Sequence, residues 1–272
     1  MTTTTNTITT TTTIDTTKQP SPNIFHDSFV MFKRCLRITF RNPEVFGTSI
    51  IVPAAVMLLF GLIFGNIVDI GEYSYIDFIV PGIILQTVAQ GVTASAIGVN
   101  NDMMKGIIDR FRSMPISKSA VLTGHVLSAV VRSLLTSAVA IGIAVLIGFR
   151  PQASFLDWLL IAGILILFIL AITWIGVICG LIAKAPESAG TYPFLLFILP
   201  YVSSGFAPIA TMPAGIRWFA ENQPMTPIID SLRALMLGHP TTEALPLAVI
   251  WSLGIIILTF TISVQLYKRK LT

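Results

Sequence analysis

Apolar runs about as long as a bilayer is thick constrain this chain more than any other feature. A hydrocarbon core of about 30 Å takes about 20 residues of helix to cross. Six segments reach or approach that length: about 48–68, 78–99, 120–148, 158–183, 191–206 and 245–266. The third is longer than a perpendicular crossing needs, so a tilted helix is expected there. Composition agrees. Of 272 residues, 54% are hydrophobic and only 11% charged, against roughly a quarter charged in soluble domains, and the mean hydropathy is +0.82. The pattern excludes a soluble globular class and predicts an all-α membrane protein with six transmembrane helices. Residues 1–22 are Thr-rich and low in complexity, too polar to offset the entropy of folding, and are expected to form a disordered tail. No apolar core follows a basic start, so they do not read as a signal peptide.

Lys and Arg set the orientation. With the N-terminus inside, the inner segments hold Lys18, Lys33, Arg34, Arg37, Arg41, Lys105, Arg110, Arg112, Lys118, Lys184, Lys268, Arg269 and Lys270, and the outer ones only Arg150, Arg217 and Arg233. Both termini are therefore expected in the cytoplasm, in a multi-pass protein of the plasma (inner) membrane. The net charge of +4 reads as topology and contact with membrane lipid, not nucleic-acid binding.

Two segments do not fit a simple span. Over 23–44, Phe25, Phe29, Phe32, Leu36 and Phe40 recur at helical spacing beside Lys33, Arg34, Arg37 and Arg41. That spacing predicts an interfacial amphipathic helix, or else a cytoplasmic extension of the first span. Residues 207–240 are too apolar for an ordinary loop and are broken by Pro208, Pro213, Pro224 and Pro227. A re-entrant element buried in protein satisfies such backbone; a loop folded on the outer surface is the alternative.

Covalent chemistry has no motif here. There is no HExxH, CxxC or GxSxG, and His26, His125 and His239 lie on three separate elements, so neither a catalytic set nor a metal site is expected. Cys35 and Cys179 are too few for a disulfide framework. No GxxxxGK[ST] phosphate loop exists, so ATP and Mg, if used, belong to another polypeptide. His125 and Arg132 share a face of the third span. Arg132 belongs either in the bundle interior or, with the helix shifted, near the inner headgroups. A proton relay would want an acid at that depth, and no helix core offers one.

Charge gathers again between spans two and three. Over 101–114, Met103, Met104, Ile107, Ile108 and Phe111 give an apolar face, and Asp102, Lys105, Asp109, Arg110 and Arg112 a polar one. Asp109 and Arg112 are spaced i, i+3 and suited to pair, and Pro115 ends the helix. Such a helix suits a groove on a soluble partner; a solvated connector that only enforces topology has the same pattern.

IDRFRSMPISKSAVLTG after the second span, YIDFIVPGIILQ (Tyr75–Gln86) at its entry and NQPMTPIIDSLRALMLG (Asn222–Gly238) before the last span together resemble the permease subunits of ABC-2 type ATP-binding cassette exporters, above all the daunorubicin-resistance type. The resemblance implies a permease pairing with a second permease copy and two copies of a cytosolic ATPase subunit that binds ATP and Mg. It implies a coupling helix at 101–114, and re-entrant helices capping the outer end of the path. The implied function is ATP-driven export of a hydrophobic or amphipathic substrate: a drug, a lipid or a lipid-linked glycan.

Candidate residues follow. Met103, Met104, Ile107, Ile108, Asp109, Arg110, Phe111 and Arg112 would contact the ATPase. Phe194, Phe197 and Tyr201 fall on one face of the fifth span and, with Arg132, are candidates for the substrate path; packing or lipid contact is the other role for the aromatics. Gly61 and Gly65 form a GxxxG suited to a dimer seam, as Gly176 and Gly180 form another, and either also serves packing within one chain. An ATP-independent carrier or channel is the competing class and would work without a partner ATPase.

Overall fold

The computed structural model describes residues 24–40, 43–64, 74–104, 120–241 and 243–271, and their regular structure is entirely helical. The helices are α1 (Ile24–Phe40), α2 (Pro43–Phe64), α3 (Tyr75–Met104), α4 (Ala120–Ile147), α5 (Phe155–Ile182), α6 (Pro186–Thr191), α7 (Phe194–Ile198), α8 (Ala214–Asn222), α9 (Met225–Leu237) and α10 (Ala244–Leu271), with 3-10 turns at Leu199–Val202 and Ile209–Thr211. Four stretches are long and apolar enough to cross a membrane: Tyr75–Met104, Val121–Ile147, Phe155–Ile182 and Ala244–Tyr267. Within α2 the described apolar stretch is shorter, Ile50–Gly61.

α3 occupies the centre. It packs against α2, α4, α5, α6, α7 and α9, and nearly every residue from Phe78 to Ala89 is buried. A helix apolar all round has nowhere else to go. The main core joins Ile79, Ile83 and Ile84 of α3 to Leu165, Phe168 and Ile172 of α5 and to Ile228, Ile229 and Leu232 of α9. Small residues bring α5 close. A Cβ on Gly180 would lie 2.5 Å from the Ala96 carbonyl oxygen, and one on Gly176 would lie 2.6 Å from Val92 Cγ1. This GxxxG is therefore a seam within one chain.

Local chemistry fixes the ends of α5. Ser154 accepts from the Asp157 amide (3.3 Å) while Asp157 accepts from the Ser154 amide (2.8 Å), a capping box. At the other end Asn100 Nδ2 of α3 donates to the carbonyls of Gly180 (3.1 Å) and Ala183 (2.8 Å), groups the helix leaves open. Asn100→Ala strips both of this donor, and the expected loss is about 1–3 kcal/mol, read as a lower melting temperature of the purified protein.

The boundaries differ from expectation in two ways. The second span runs on to Met104, so Asn101–Met104 continue α3 instead of opening a separate coupling helix; residues 105–114 of that segment lie outside the described residues, as does the 1–22 tail. The fifth span is not one helix. It begins at Pro186, breaks at Tyr192–Pro193, resumes as α7 and tightens to 3-10 through Val202. Pro193 and Pro200 have no N–H to donate, so an unbroken α-ladder through them is excluded. Toward the rest of the protein α1 buries Ser28, Met31 and Cys35, while Phe29 of the Phe stripe stays exposed. Gly124 of α4 permits this, since a Cβ there would lie 2.5 Å from Met31 Cβ. The region before the last span folds as two helices. α9 is buried against α3, α5 and α10, whereas α8 is exposed along almost its whole length.

Candidate functional site

Three polar clusters occupy this apolar bundle. The first lies at the end of α3 that leads into 105–119. Arg34 of α1 donates twice to Asp102, Nη1 to Oδ2 at 2.8 Å and Nη2 to Oδ1 at 2.9 Å. His125 of α4 meets the same Oδ2 through Nε2 at 3.0 Å, and its ring also contacts the Cys35 thiol. One carboxylate thus ties α1, α3 and α4 together. The Asp102 hydrogen bond raises the pKa of the Arg34 guanidinium above its ordinary value, over the opposing pull of partial burial. Asp102 supplies the acid that the sequence lacked beside His125: it sits at a helix end in sequence, and folding carries it under α4.

The second cluster is a seam of small polar side chains between α3 and α4. Arg132 Nη2 donates to the Gly91 carbonyl at 2.6 Å and to Ser95 Oγ at 2.9 Å. Thr87, Ser133 and Thr136 are also buried. Arg132 itself is buried between the two helices, only 7% exposed.

The third cluster is at the other end of α3, about 36 Å from Asp102 by helix rise. Arg233 of α9 donates from Nε to the Phe78 carbonyl (3.2 Å) and from Nη1 to Asp230 (2.7 Å), and its guanidinium carbon lies 3.9 Å over the Phe78 ring. It also donates to the Ser204 carbonyl, and Ser204 Oγ donates to Asp230 at 2.7 Å. Burial lowers the Arg233 pKa, and Asp230 opposes that shift. Tyr75 donates to the Phe206 carbonyl at 3.1 Å, and Gln86 donates to the Tyr201 hydroxyl. Gly82 meets Gly205 so closely that a Cβ would lie 2.6 Å from the Gly205 carbonyl oxygen. YIDFIVPGIILQ, NQPMTPIIDSLRALMLG and the 203–206 turn are thus three parts of one joint.

Phe194, Phe197 and Tyr201 come together. Phe194 and Phe197 stack with centroids 5.9 Å apart, Phe197 meets Tyr201 edge-on at 5.9 Å, and Tyr201 stacks on Phe206 at 4.6 Å. The file runs from Phe194, 57% exposed, to the buried Phe206. Arg132 belongs to a different interface, so these candidates do not form one site. Met103 packs beside Val99 and Leu122, and Met104 is exposed. Ile107, Ile108, Asp109, Arg110, Phe111 and Arg112 lie outside the described residues, as does Gly65. Gly61 faces Ile76 of the same chain, with 3.4 Å from an ideal Cβ to Cγ1. Among the described residues no cluster of three or more His, Cys, Asp or Glu side chains is placed to hold a metal ion.

The sequence reading passed over Arg34, Asp102, Gly82, Gly205, Asp230 and Arg233 as site residues. The i, i+3 spacing of Asp230 and Arg233 was the available signal; the approach of Gly82 to Gly205 left none.

Residues 27–237 match the family model described as ABC-2 type transporter. The chain is 28% identical over 222 residues to the daunorubicin resistance ABC transporter permease protein DrrB1 of Streptomyces coeruleorubidus, covering 81% of this chain and 78% of that one. It is 24% identical over 229 residues to the probable doxorubicin resistance ABC transporter permease protein DrrC of Mycobacterium tuberculosis, covering 82% of each. It is 24% identical over 205 residues to the inner membrane transport permease YadH of Escherichia coli K12, covering 73% and 79%. A match over most of the length, on a bundle of apolar helices fastened at both ends of its central member, makes this chain a member of the ABC-2 type transporter family.

Proposed function

We propose that this chain is the permease subunit of an ATP-driven exporter. It pairs with a second permease copy and with two copies of a separate ATP-binding cassette subunit, which carries the ATP and Mg. Both termini face the cytoplasm, α1 lies at the inner surface, and 101–114 docks on the ATPase through Met103, Met104, Ile107, Ile108, Asp109, Arg110, Phe111 and Arg112. The cargo is hydrophobic or amphipathic, as the drug names carried by two of the relatives suggest.

One observation carries the reading beyond family membership. The segment 105–119 joins the end of α3, at Asp102, to the start of α4, before His125, and Asp102 bonds both Arg34 of α1 and His125 of α4. Force applied to that segment by a closing ATPase enters three helices at once. ATP drives the cycle by binding one packing of the complex better than the other. Gly61 and Gly65 remain candidates for the permease–permease seam, and Phe194, Phe197 and Tyr201 for the path wall.

The test is co-purification of the tagged chain from gentle detergent, wild type beside Ile108→Pro, followed by reconstitution. A stoichiometric ATPase in the wild type, reduced at least tenfold in the variant, is the expected result. Substrate movement by the purified chain alone, with no ATPase present, would instead establish the ATP-independent carrier.

A further inference from the structure

Around its axis, at about 100° per residue, α1 divides into three sectors. Ser28, Met31 and Cys35 fall together and are buried. Met31 is seated on Gly124 of α4, where an ideal Cβ would lie 2.5 Å from the Met31 Cβ. Phe32 and Leu36 follow on one flank, half-buried, and Phe29 beyond them is 62% exposed, with its ring centroid 6.0 Å from that of Phe32. Opposite the buried sector stand Lys33 and Arg37, both exposed and one turn apart. Neither meets an acid among the described residues. Asp27, the one acid of α1, pairs with His26 at 3.8 Å, and Asp102 is held by Arg34 and His125.

α1 sits where two spans end. Arg34, on its other flank, reaches Asp102 two residues before the last residue of α3, and Met31 meets α4 in its second turn. Both helices belong to the stretches long and apolar enough to cross a membrane, and such spans end where hydrocarbon gives way to headgroups. A helix fixed at that level, with phenylalanine rings on one flank and bases beside them, has the form of one lying in the interface. The rings enter the upper acyl layer, and the Lys and Arg stems carry their charges out to the headgroups. A groove on a soluble partner takes apolar anchors at the centre of a helix face; here Lys33 and Arg37 hold the centre and the rings its edge. Two cations without counter-ions favour lipids whose phosphate charge is not already neutralised by choline.

We propose that Lys33 and Arg37 form an anionic-phospholipid site, in which α1 binds the headgroup phosphates of acidic lipids in the inner leaflet while Phe29 and Phe32 lie in the acyl layer beneath. Arg34 ties the same helix to Asp102, so the bound lipids also anchor the end of α3 from which 105–119 departs. The inference rests on the reading above that puts this end of the bundle at the cytoplasmic surface.

The test uses the purified permease, with the ATPase that accompanies it, in phosphatidylcholine nanodiscs. The dye NBD is attached at Val30→Cys, beside the two bases; the native Cys35 and Cys179 are buried. Its fluorescence is quenched with phosphatidylglycerol or phosphatidylcholine carrying the same doxyl-labelled chain at equal mole fraction. Both lipids are expected to quench, phosphatidylglycerol about tenfold or more effectively at low salt and less so at high salt, which screens the attraction. In Lys33→Gln/Arg37→Gln the ratio is expected near one, with quenching by phosphatidylcholine retained. Lys33→Arg/Arg37→Lys is expected to keep the preference. Absence of quenching by either lipid, a wild-type ratio near one, a preference that survives Lys33→Gln/Arg37→Gln, or one lost in Lys33→Arg/Arg37→Lys overturns the proposal, and the first two and the last decide it even if the glutamine variant does not assemble. Quenching that appears only after the ATPase is stripped away marks this face as a protein contact and overturns it as well. ATP-driven transport is followed in the same discs. Transport without lipid preference removes the site and leaves export standing, whereas a lipid preference in a chain that acquires no ATPase keeps the site and removes the export reading.

Discussion

Asp102→Ala is expected to weaken the folded chain by roughly 3–5 kcal/mol, the usual result of removing one member of a buried ion pair. The carboxylate is the single anion between Arg34 and His125, with 9% of its side chain exposed. Its loss leaves two nitrogen-rich groups facing each other across a site from which water is largely excluded. Arg34→Ala should cost less, because the Arg34 side chain is 30% exposed and water replaces part of what it gave. Combining the two should cost less than the sum, since neither variant can lose the same ion pair twice. Melting of the purified complex followed by tryptophan fluorescence measures these terms. A loss under about 1 kcal/mol for Asp102→Ala would mean that the triad is peripheral. Transport should fall further than stability at temperatures where the variant remains folded, because α1 would no longer follow the end of α3.

Gly82→Val should be damaging too, at the other end of the same helix. The first added carbon would sit 2.6 Å from Gly205 O and 2.7 Å from Gly205 Cα, and both are backbone atoms that cannot rotate aside. Overpacking of this kind costs about 1–3 kcal/mol, occasionally more. Here it also pries the 203–206 turn from α3, stretching Tyr75–Phe206 and Gln86–Tyr201. Little folded protein should be recovered from membranes. Gly142→Val is the control, because an ideal Cβ there meets nothing within 4 Å. Equal yields from the two variants would show that the turn yields without cost.

The apolar runs made the long helices legible, because twenty apolar residues leave a chain few options. They could not place the ends of those helices, since polar residues such as Asn101 and Asp102 extend α3 once Asn100 and Asp102 find partners on α4 and α5. The fifth segment read as one apolar run, 191–206, and did not show that Pro193 and Pro200 would divide it among α6, α7 and a 3-10 turn. The clusters were legible only in part. Arg132 stood out as a charge in an apolar run, whereas Asp102 looked like an ordinary helix-end acid, because its meaning depends on Arg34, 68 positions earlier. The Phe stripe of α1 predicted an amphipathic helix but not its buried face, which Gly124 decides by leaving room for Met31.

The central place of α3 also bears on how the protein is made. During synthesis α3 emerges before nearly every group that satisfies it: His125, the carbonyls of Gly180 and Ala183, Tyr201 and Arg233 all come later. Insertion one helix at a time would leave Asn100 and Gln86 without the partners they have in the finished bundle, and hydrocarbon offers them none. The hydrogen bonds of α3 are therefore complete only once α9 has been translated, so the central helix of the bundle is among the last to be fully paired.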